Sequence, residues 1–313
     1  GFALHVTLMA ANKVAKRFEA DHVIFALEGR SWRKDFYKPY KANRAVARAA
    51  LTEAEQEEDK MFWETYDNLT KYLSERTNCS VIRHENAEAD DIIARWIALH
   101  PQDEHVIISS DTDFVQLLAE NVKQYNGITD ELITIEGIFD AKGKPVLDKK
   151  TKEPKTIPHP KWLLFEKCMR GDTSDNVFSA FPGVRTKGTK NKVGLQEAYS
   201  DRDKKGYNWN NLMLQRWTDP DGVEHRVLDD YERNRLLIDL SMQPADLVEK
   251  FDALVASSIV TTPRKQVGLA LMKFCNRHGL VKIEKSSGEY SSCFSSAYTG
   301  VLLERIREQE TVE

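Results

Sequence analysis

Apolar positions at the start of the chain recur at helical spacing: Phe2, Leu4, Leu8, Met9, Val14 and Phe18 predict an opening helix. "HVIFALEG", His22 to Gly29, reads as a buried strand closed by Glu28 and Gly29. Phe62, Tyr66, Leu69 and Leu73 make "TEAEQEEDKMFWETYDNLTKYLSERT" an amphipathic helix, and its acidic beginning suits the helix dipole. "CSVIRH" predicts a short strand. "NAEADDIIARWIALH" predicts a helix with Ile92, Ile93, Trp96 and Leu99 inward, and "HVIISSD" a further strand. Strand, helix and strand at this spacing form a βαβ unit, so a parallel sheet is expected.

"NVKQYNGITDELITIEGIFDAKGKPVLDKKTKEP" predicts more strands joined by a polar, turn-rich hairpin that ends near Pro158 and Pro160. Beyond it the pattern turns helical, in "KWLLFEKCMRG", "VGLQEAY", "YERNRLLIDLS", "DLVEKFDALVASSI" and "KQVGLALMKFCNRHG", the last closed by Gly279. "EKSSGEYSSCFSS" reads as a Ser-rich loop before a final helix, "AYTGVLLERIREQ". The expected class is therefore α/β, a parallel-sheet domain followed near residue 160 by a mainly helical one.

At 313 residues, 41% hydrophobic and 30% charged, the chain can bury one large or two modest cores. No apolar run reaches the roughly 18 residues that span a bilayer, and the opening is not a signal-peptide pattern. Cys79, Cys168, Cys275 and Cys293 form no CxxC pair and the histidines are scattered, which argues against zinc and for a reducing cytoplasm. The sequons "NLT" and "NCS" are read as chance. A net charge of −4 argues against a nucleic-acid partner until the distribution is considered. Arg30, Arg33, Lys34, Lys38, Lys41, Arg44 and Arg48 face only Asp35 in one stretch; Arg185, Lys187, Lys190 and Lys192 face no acid in another. Local fields of this kind steer a polyanion.

The acids collect elsewhere. In "VIISSDTDFVQLL" a strand runs into Asp111 and Asp113, which resist joint ionisation unless a cation or solvent compensates. One reading is a helix cap with Thr112 or Asp113 as N-cap; the other is a metal site. Glu28, Asp111 and Asp113 end predicted strands, and Glu88, Asp90 and Asp91 open the helix between strands, all at the sheet edge where open α/β folds place function. Glu88 and Asp91 share a helix face, and "RGDTSDN" adds Asp172 and Asp175. Any one of these is better explained by a cap or a solvated turn; their convergence calls for cations. Oxygen-only ligands suit Mg²⁺ or Mn²⁺, and two such ions roughly 4 Å apart clamp the oxygens of a phosphodiester, so no Ser, Cys or His nucleophile is needed.

"WRKDFYKPYKANR" interleaves Arg33, Lys34, Lys38, Lys41 and Arg44 with Trp32, Phe36, Tyr37 and Tyr40. Cations hold phosphates and aromatic faces stack bases; the alternative is a solvated helix face over core aromatics. "FPGVRTKGTKNKVGLQEAY" reads as a hairpin between helices. Its Pro182–Gly183 turn offers backbone to a phosphate or a bridging cation, or is an ordinary basic loop.

Together "WRKDFYKPYKANR", "AEADDIIA", "ISSDTDFVQLL", "RGDTSDNV" and "FPGV", in this order over about residues 1–245, resemble the 5′-nuclease or flap endonuclease superfamily, most closely the ribonuclease H of T-even-like phages. The resemblance implies a PIN-like catalytic domain at 1–160 with a helical arch at about 30–75. It also implies a helical DNA-binding domain at 161–313 with a helix-three-turn-helix at about 161–200. By motif match it places Glu88, Asp90, Asp91, Asp111, Asp113, Asp172 and Asp175 at the metal site, with Glu28 where the family usually has Asp. Lys41 and Arg44 would hold the scissile phosphate and Tyr40 would stack a base. Arg33, Lys34, Lys38, Gly183, Arg185, Lys187, Lys190 and Lys192 would complete the nucleic-acid contacts. Two Mg²⁺ or Mn²⁺ ions are implied, with a K⁺ at the hairpin. Family members open with a strand carrying an Asp ligand before the first helix. Its absence here is read as truncation, with severe loss of activity expected.

The function so implied is a metal-dependent 5′→3′ exonuclease and flap endonuclease on DNA and RNA–DNA hybrids, removing RNA primers during lagging-strand replication. The alternatives are a catalytically impaired fork-structure DNA-binding protein and an Asp-x-Asp phosphatase, the latter leaving the arch and hairpin without work. Expected partners are flap or forked DNA and RNA–DNA hybrid; the C-terminal helices read first as packing helices and second as a dock for a single-strand-binding protein or sliding clamp. A monomer without membrane association is expected in the cytoplasm, the host's if the protein is phage-encoded.

Overall fold

The computed structural model describes residues 2–300. In chain order the elements are α1 (Phe2–Arg17), β1 (Ile24–Leu27), α2 (Arg33–Phe36), α3 (Ala42–Ala49), α4 (Glu53–Arg76), β2 (Ser80–Arg83), α5 (Ala89–Leu99) and β3 (His105–Ile108). A 3₁₀ turn at Thr112–Leu117 leads to β4 (Val122–Asn126), β5 (Glu131–Thr134), β6 (Gly137–Phe139), α6 (Pro160–Arg170), α7 (Leu195–Ser200) and α8 (Tyr207–Met213). Then come β7 (Arg216–Thr218), β8 (Glu224–Arg226), α9 (Val227–Ile238), α10 (Ala245–Ser257), α11 (Val267–Arg277), α12 (Val281–Lys285) and α13 (Ser287–Ser295). The chain divides into two compact units. Among the described residues one comprises residues 2–31, Ala49–Val106 and residues 244–300; the other comprises Trp32–Arg48 and Ile107–Gln243.

In the first unit β1 and β2 pair in parallel, from Ile24 opposite Ser80 to Leu27 opposite Arg83. Leu4, Leu8, Leu69, Leu73, Leu271 and Phe294 share its core, where Tyr72 stacks on Phe274. Phe2 and Met9 stay exposed, so the buried stripe of α1 is narrower than its apolar spacing. Thr52 and Glu55 form a reciprocal cap on α4, which fixes where that long helix starts. Arg95 of α5 meets Asp252 of α10 through two hydrogen bonds of 2.7 Å.

In the second unit α6, α7, α8 and α9 enclose Phe165, Cys168, Met169, Leu195 and Leu212. Buried Asn234 ties that core together, donating to the carbonyls of Cys168 and Phe178 at 2.8 Å each. β4, β5 and β6 run antiparallel in a sheet of order β3-β4-β5-β6.

Three expectations differ from this structure. The parallel pairing recorded is β1 with β2, bridged by the basic stretch and α4, whereas β3 joins β4. The Ser-rich segment is helical. Cys293 and Phe294 bury one side of α13, while Ser291, Ser292 and Ser295 return their hydroxyls to carbonyls three or four residues back, which keeps them from competing for a loop. Of the final helix, Ala297–Thr299 form no helix, and residues 301–309 lie outside the described residues. The hairpin of β7 and β8 was not expected. Asp219 accepts from the Asp221 and Val223 amides and Gly222 takes φ +85°, a local turn that the surrounding polar run conceals. Among the described residues no helix is long and apolar enough to cross a membrane.

Candidate metal centre

The loop that follows α6 is built on a glycine. Gly171 sits at φ +77°, and a Cβ there would lie 2.3 Å from the Val177 carbonyl oxygen. Only glycine fits this approach. Asp172 and Val177 then bridge across the loop, and Asp172 accepts from the Ser174 amide at 2.8 Å and hydroxyl at 2.6 Å. The turn thereby fixes Asp172 and Asp175, three residues apart, in one orientation.

Asp113, at the start of the 3₁₀ turn, joins them: one carboxylate oxygen from each of Asp113, Asp172 and Asp175 lies within 4.8 Å of the others. Asp111 has a different task. It is exposed, accepts from the Asp113 amide at 2.9 Å and so caps the turn, while Gln124 holds its carbonyl at 2.6 Å. In "SSDTDF" the capping reading therefore belongs to Asp111, and Asp113 lies in the three-acid group.

The neutralising group that the acid-rich motif lacks comes from α6. Lys167 hydrogen-bonds Asp113 and sits 2.8 Å from Asp172 Oδ2. Burial pushes the Asp172 carboxyl up, but the Lys167 and Ser174 bonds outweigh it and bring it down to about 2. For Asp113 burial dominates and raises its pKa against the pull of Lys167. Lys167 itself is raised, since the two carboxylates overcome its desolvation. The three carboxylates form a hard, all-oxygen donor set, two of them already held about the Lys167 charge, and this fits Mg²⁺ or Mn²⁺.

The basic stretch docks on the same loop. Lys41 Nζ is 3.5 Å and Arg44 Nη2 2.8 Å from the Asp175 carboxylate. The Lys41 amide donates to the Asp175 carbonyl at 2.8 Å, Asn43 to the Ser174 carbonyl at 3.1 Å, and Asn176 to the Pro39 carbonyl at 2.8 Å. Lys41 takes φ +53°, an uncommon conformation for a non-glycine residue that this network holds. Lys34 and Lys38 are exposed. Arg33 is turned inward, buried with its guanidinium 4.7 Å from the Trp32 ring centroid, and is not available to a phosphate. Tyr40 is also buried, in the core beside α6, with its hydroxyl 3.3 Å from Asp175, so it has no free face for a base; Phe36 is the exposed ring.

In the first unit, β1 ends at Leu27 and Gly29 follows two residues on; its amide donates to the Ala87 carbonyl at 2.9 Å, and a Cβ there would lie 2.0 Å from the His84 carbonyl oxygen. Glu28 is thereby set against the start of α5 and accepts from the Ala89 amide at 3.2 Å. Glu88 is buried and accepts the Ser31 hydroxyl at 2.7 Å. Asp91, fully buried, accepts the Glu88 amide at 3.1 Å, as a capping residue does, while Asp90 is half-buried.

The hairpin after α6 turns at Gly183, φ +74° with open space around it. Arg185, Lys187, Lys190 and Lys192 are exposed. Glu197, unremarked in the sequence, organises the hairpin by accepting from the Gly188 and Gly194 amides at 2.9 and 3.0 Å. Burial opposes its ionisation, but these amides hold its carboxyl below the usual range.

An acid-lined centre clamped to a basic arm is an arrangement suited to a phosphodiester. Residues 2–143 match the family described as 5′-3′ exonuclease, N-terminal resolvase-like domain. It is 28% identical over 293 residues to DNA polymerase I of Rhizobium leguminosarum, covering 92% of this chain and 24% of the polymerase. It is 29% identical over 196 residues to flap endonuclease Xni of Pseudoalteromonas translucida, covering 61% of this chain and 64% of that protein. The chain thus spans less than two thirds of either relative. Its fold is similar to that of the T5 D15 protein co-crystallized with metal ions, with TM-score 0.56 and 19% identity over 80% of this chain and 91% of that one.

Proposed function

We propose that the chain is a divalent-metal-dependent 5′→3′ exonuclease and flap endonuclease. Its substrates would be flap or forked DNA and RNA–DNA hybrids, and its task the removal of RNA primers in replication. The observation that carries this reading is the three-carboxylate group of Asp113, Asp172 and Asp175 with Lys41 and Arg44 docked on Asp175. The names of the relatives, polymerase I and flap endonuclease, support the substrate class.

On this reading Asp113, Asp172 and Asp175 hold one Mg²⁺ or Mn²⁺, and Glu28, Glu88, Asp90, Asp91 and Asp111 are the remaining candidates for a second. A bound divalent ion supplies charge neutralisation at the phosphodiester and lowers the pKa of water there. Lys41 and Arg44, held against Asp175, are positioned to meet the negative charge that grows on the phosphate oxygens in the transition state. Their cost of ordering is met before substrate arrives, since the Lys41 backbone amide and the Asn43 side-chain amide, bonded to loop carbonyls, already fix the arm. Exposed Arg185, Lys187, Lys190 and Lys192 around Gly183 fit the phosphates of a duplex, with K⁺ at the hairpin turn. The same reading makes the protein a cytoplasmic monomer working beside a single-strand-binding protein or clamp.

The test is cleavage of a 5′-flap substrate in Mg²⁺ and in EDTA, with Asp172→Asn and Lys41→Ala compared with the parent. Metal-dependent cutting that Asp172→Asn abolishes while flap binding persists is the expected result. Binding without metal-dependent cutting by the parent would replace this reading with that of a fork-binding protein.

A further inference from the structure

A third basic surface, distinct from the arm and the hairpin, follows β6. Residues 140–155, "DAKGKPVLDKKTKEPK", carry six lysines against three acids. The segment forms a small ladder. The Val146 amide donates to the Ile138 carbonyl at 2.8 Å, the Lys155 amide to the Val146 carbonyl at 2.8 Å, and the Asp148 amide to the Glu153 carbonyl at 2.8 Å. Two tight turns cap it, with Gly143 at φ +73° in the first and Lys152 at φ +62° in the second.

Two of the three acids are committed to the backbone. Asp140 accepts from the amides of Lys142 and Lys144 at 2.8 and 2.9 Å; Asp148 accepts from those of Lys150 and Thr151 at 2.8 and 2.9 Å. Each carboxylate thus shapes its turn instead of pairing with a lysine. Lys142, Lys144, Lys149, Lys150 and Lys152 are exposed and Lys155 is partly so, and none of the six ammonium groups is in an ion pair among the described residues. Acids spent on turn geometry leave a net positive surface on a fixed backbone.

From this we infer that residues 140–155 form a secondary binding arm for the phosphate backbone of duplex DNA. The inference rests on the nuclease reading for the identity of its polyanion. The segment contains no aromatic residue, so it has nothing on which an unpaired base can stack. Lysines are flexible point charges that hold phosphates without reading sequence. The arm therefore adds affinity for duplex flanking a junction and leaves the choice of scissile bond to the acid centre. It reaches past residue 143, where the match to the exonuclease domain ends.

The experiment measures dissociation of a 5′-flap DNA from the full chain across a salt series in EDTA, and cleavage of the same DNA in Mg²⁺. A set of Lys142→Gln, Lys144→Gln, Lys149→Gln, Lys150→Gln and Lys152→Gln is compared with the same five positions changed to Arg. A control changes the exposed Lys273, Lys282 and Lys285 to Gln. The Gln set should flatten the slope of log affinity against log salt by about 2, and weaken binding roughly ten-fold or more near 0.1 M salt. The position of the cut should not move, and the Arg set and the control should keep the parental slope. A Gln set with the parental slope, in a parent that binds and cuts the flap, overturns the arm and leaves the nuclease reading standing. So does a Gln set that loses adsorption to phosphatidylserine vesicles but no DNA affinity. A parent that neither binds nor cuts overturns both.

Discussion

Lys167 Nζ lies 2.8 Å from Asp172 Oδ2 while it also hydrogen-bonds Asp113, so a single ammonium bridges two of the three clustered carboxylates. An intrachain cation thus stabilises the acid centre in the absence of metal. Lys167→Met leaves that charge uncompensated and should cost about 1–3 kcal/mol at neutral pH in EDTA. Mg²⁺ or Mn²⁺ should restore more stability to this variant than it adds to the parent. Thermal melts with and without metal decide it; equal metal shifts in both proteins would show that Lys167 does not stand in a cation's place.

The loop that carries Asp172 and Asp175 depends on Gly171 at φ +77°, with the Val177 oxygen 2.3 Å from any added Cβ. Gly171→Ala must open the Asp172–Val177 bridge or distort α6. The expected loss is about 2–4 kcal/mol, combining backbone strain and overpacking. A denaturant midpoint within error of the parent would show that the loop yields freely, and that the acids are less fixed than their hydrogen bonds imply.

Asp113, Asp172 and Asp175 were legible as candidates in the sequence, because they sit in two short local motifs, one after a strand and one in a tight turn. The strands before β7 and most helices were legible for the same reason, since their apolar spacing is local. What escaped was long-range. Lys167 neutralises Asp113 from 54 residues away, and only the fold reveals that pairing. Arg33 and Tyr40 belong to a stretch whose composition suggests a nucleic-acid surface, yet Trp32 covers the first and the α6 core takes the second. The pattern "SSGEYSSCFSS" hid a helix because serine is ambiguous: its hydroxyls disfavour helices except when they return to the helix's own carbonyls over a buried face.

The exposed Phe36 and the buried Tyr40 exchange the roles their positions suggest. Phe36→Ala should weaken binding of the single-stranded 5′ flap by about 1–3 kcal/mol, the worth of one stacked base, with little effect on the fold. Tyr40→Phe removes the 3.3 Å contact with Asp175 and should leave flap affinity unchanged. Anisotropy titrations with single-stranded DNA check both. A loss confined to Tyr40→Phe would mean that its hydroxyl, through Asp175, matters more than any ring face.

Two histidines give the two units opposite responses to pH. His225, between β7 and α9, has Nε2 3.2 Å from Asp219 and Nδ1 3.1 Å from Asp230. Burial lowers its pKa, but the two carboxylates outweigh this and leave it above the ordinary 6.5. His22 in the first unit has Nδ1 3.0 Å from the Ser296 carbonyl and Nε2 2.9 Å from the Ser80 hydroxyl. Burial holds its pKa below 6.5, against the carbonyl and with help from nearby His100. A group raised on folding contributes its full stability below its unfolded pKa and loses it as pH climbs through the folded value. A histidine depressed on folding contributes fully above its unfolded pKa and loses that stability as pH falls toward the folded value. The melting-temperature advantage of the parent over His225→Gln should therefore be largest near pH 5.5 and shrink by about pH 8.5. Its advantage over His22→Gln should run the other way, largest above about pH 7.5 and fading toward pH 5. Melts of the three proteins across that range test the assignment; parallel pH profiles for both variants would mean that at least one of these rings does not change charge as its contacts dictate.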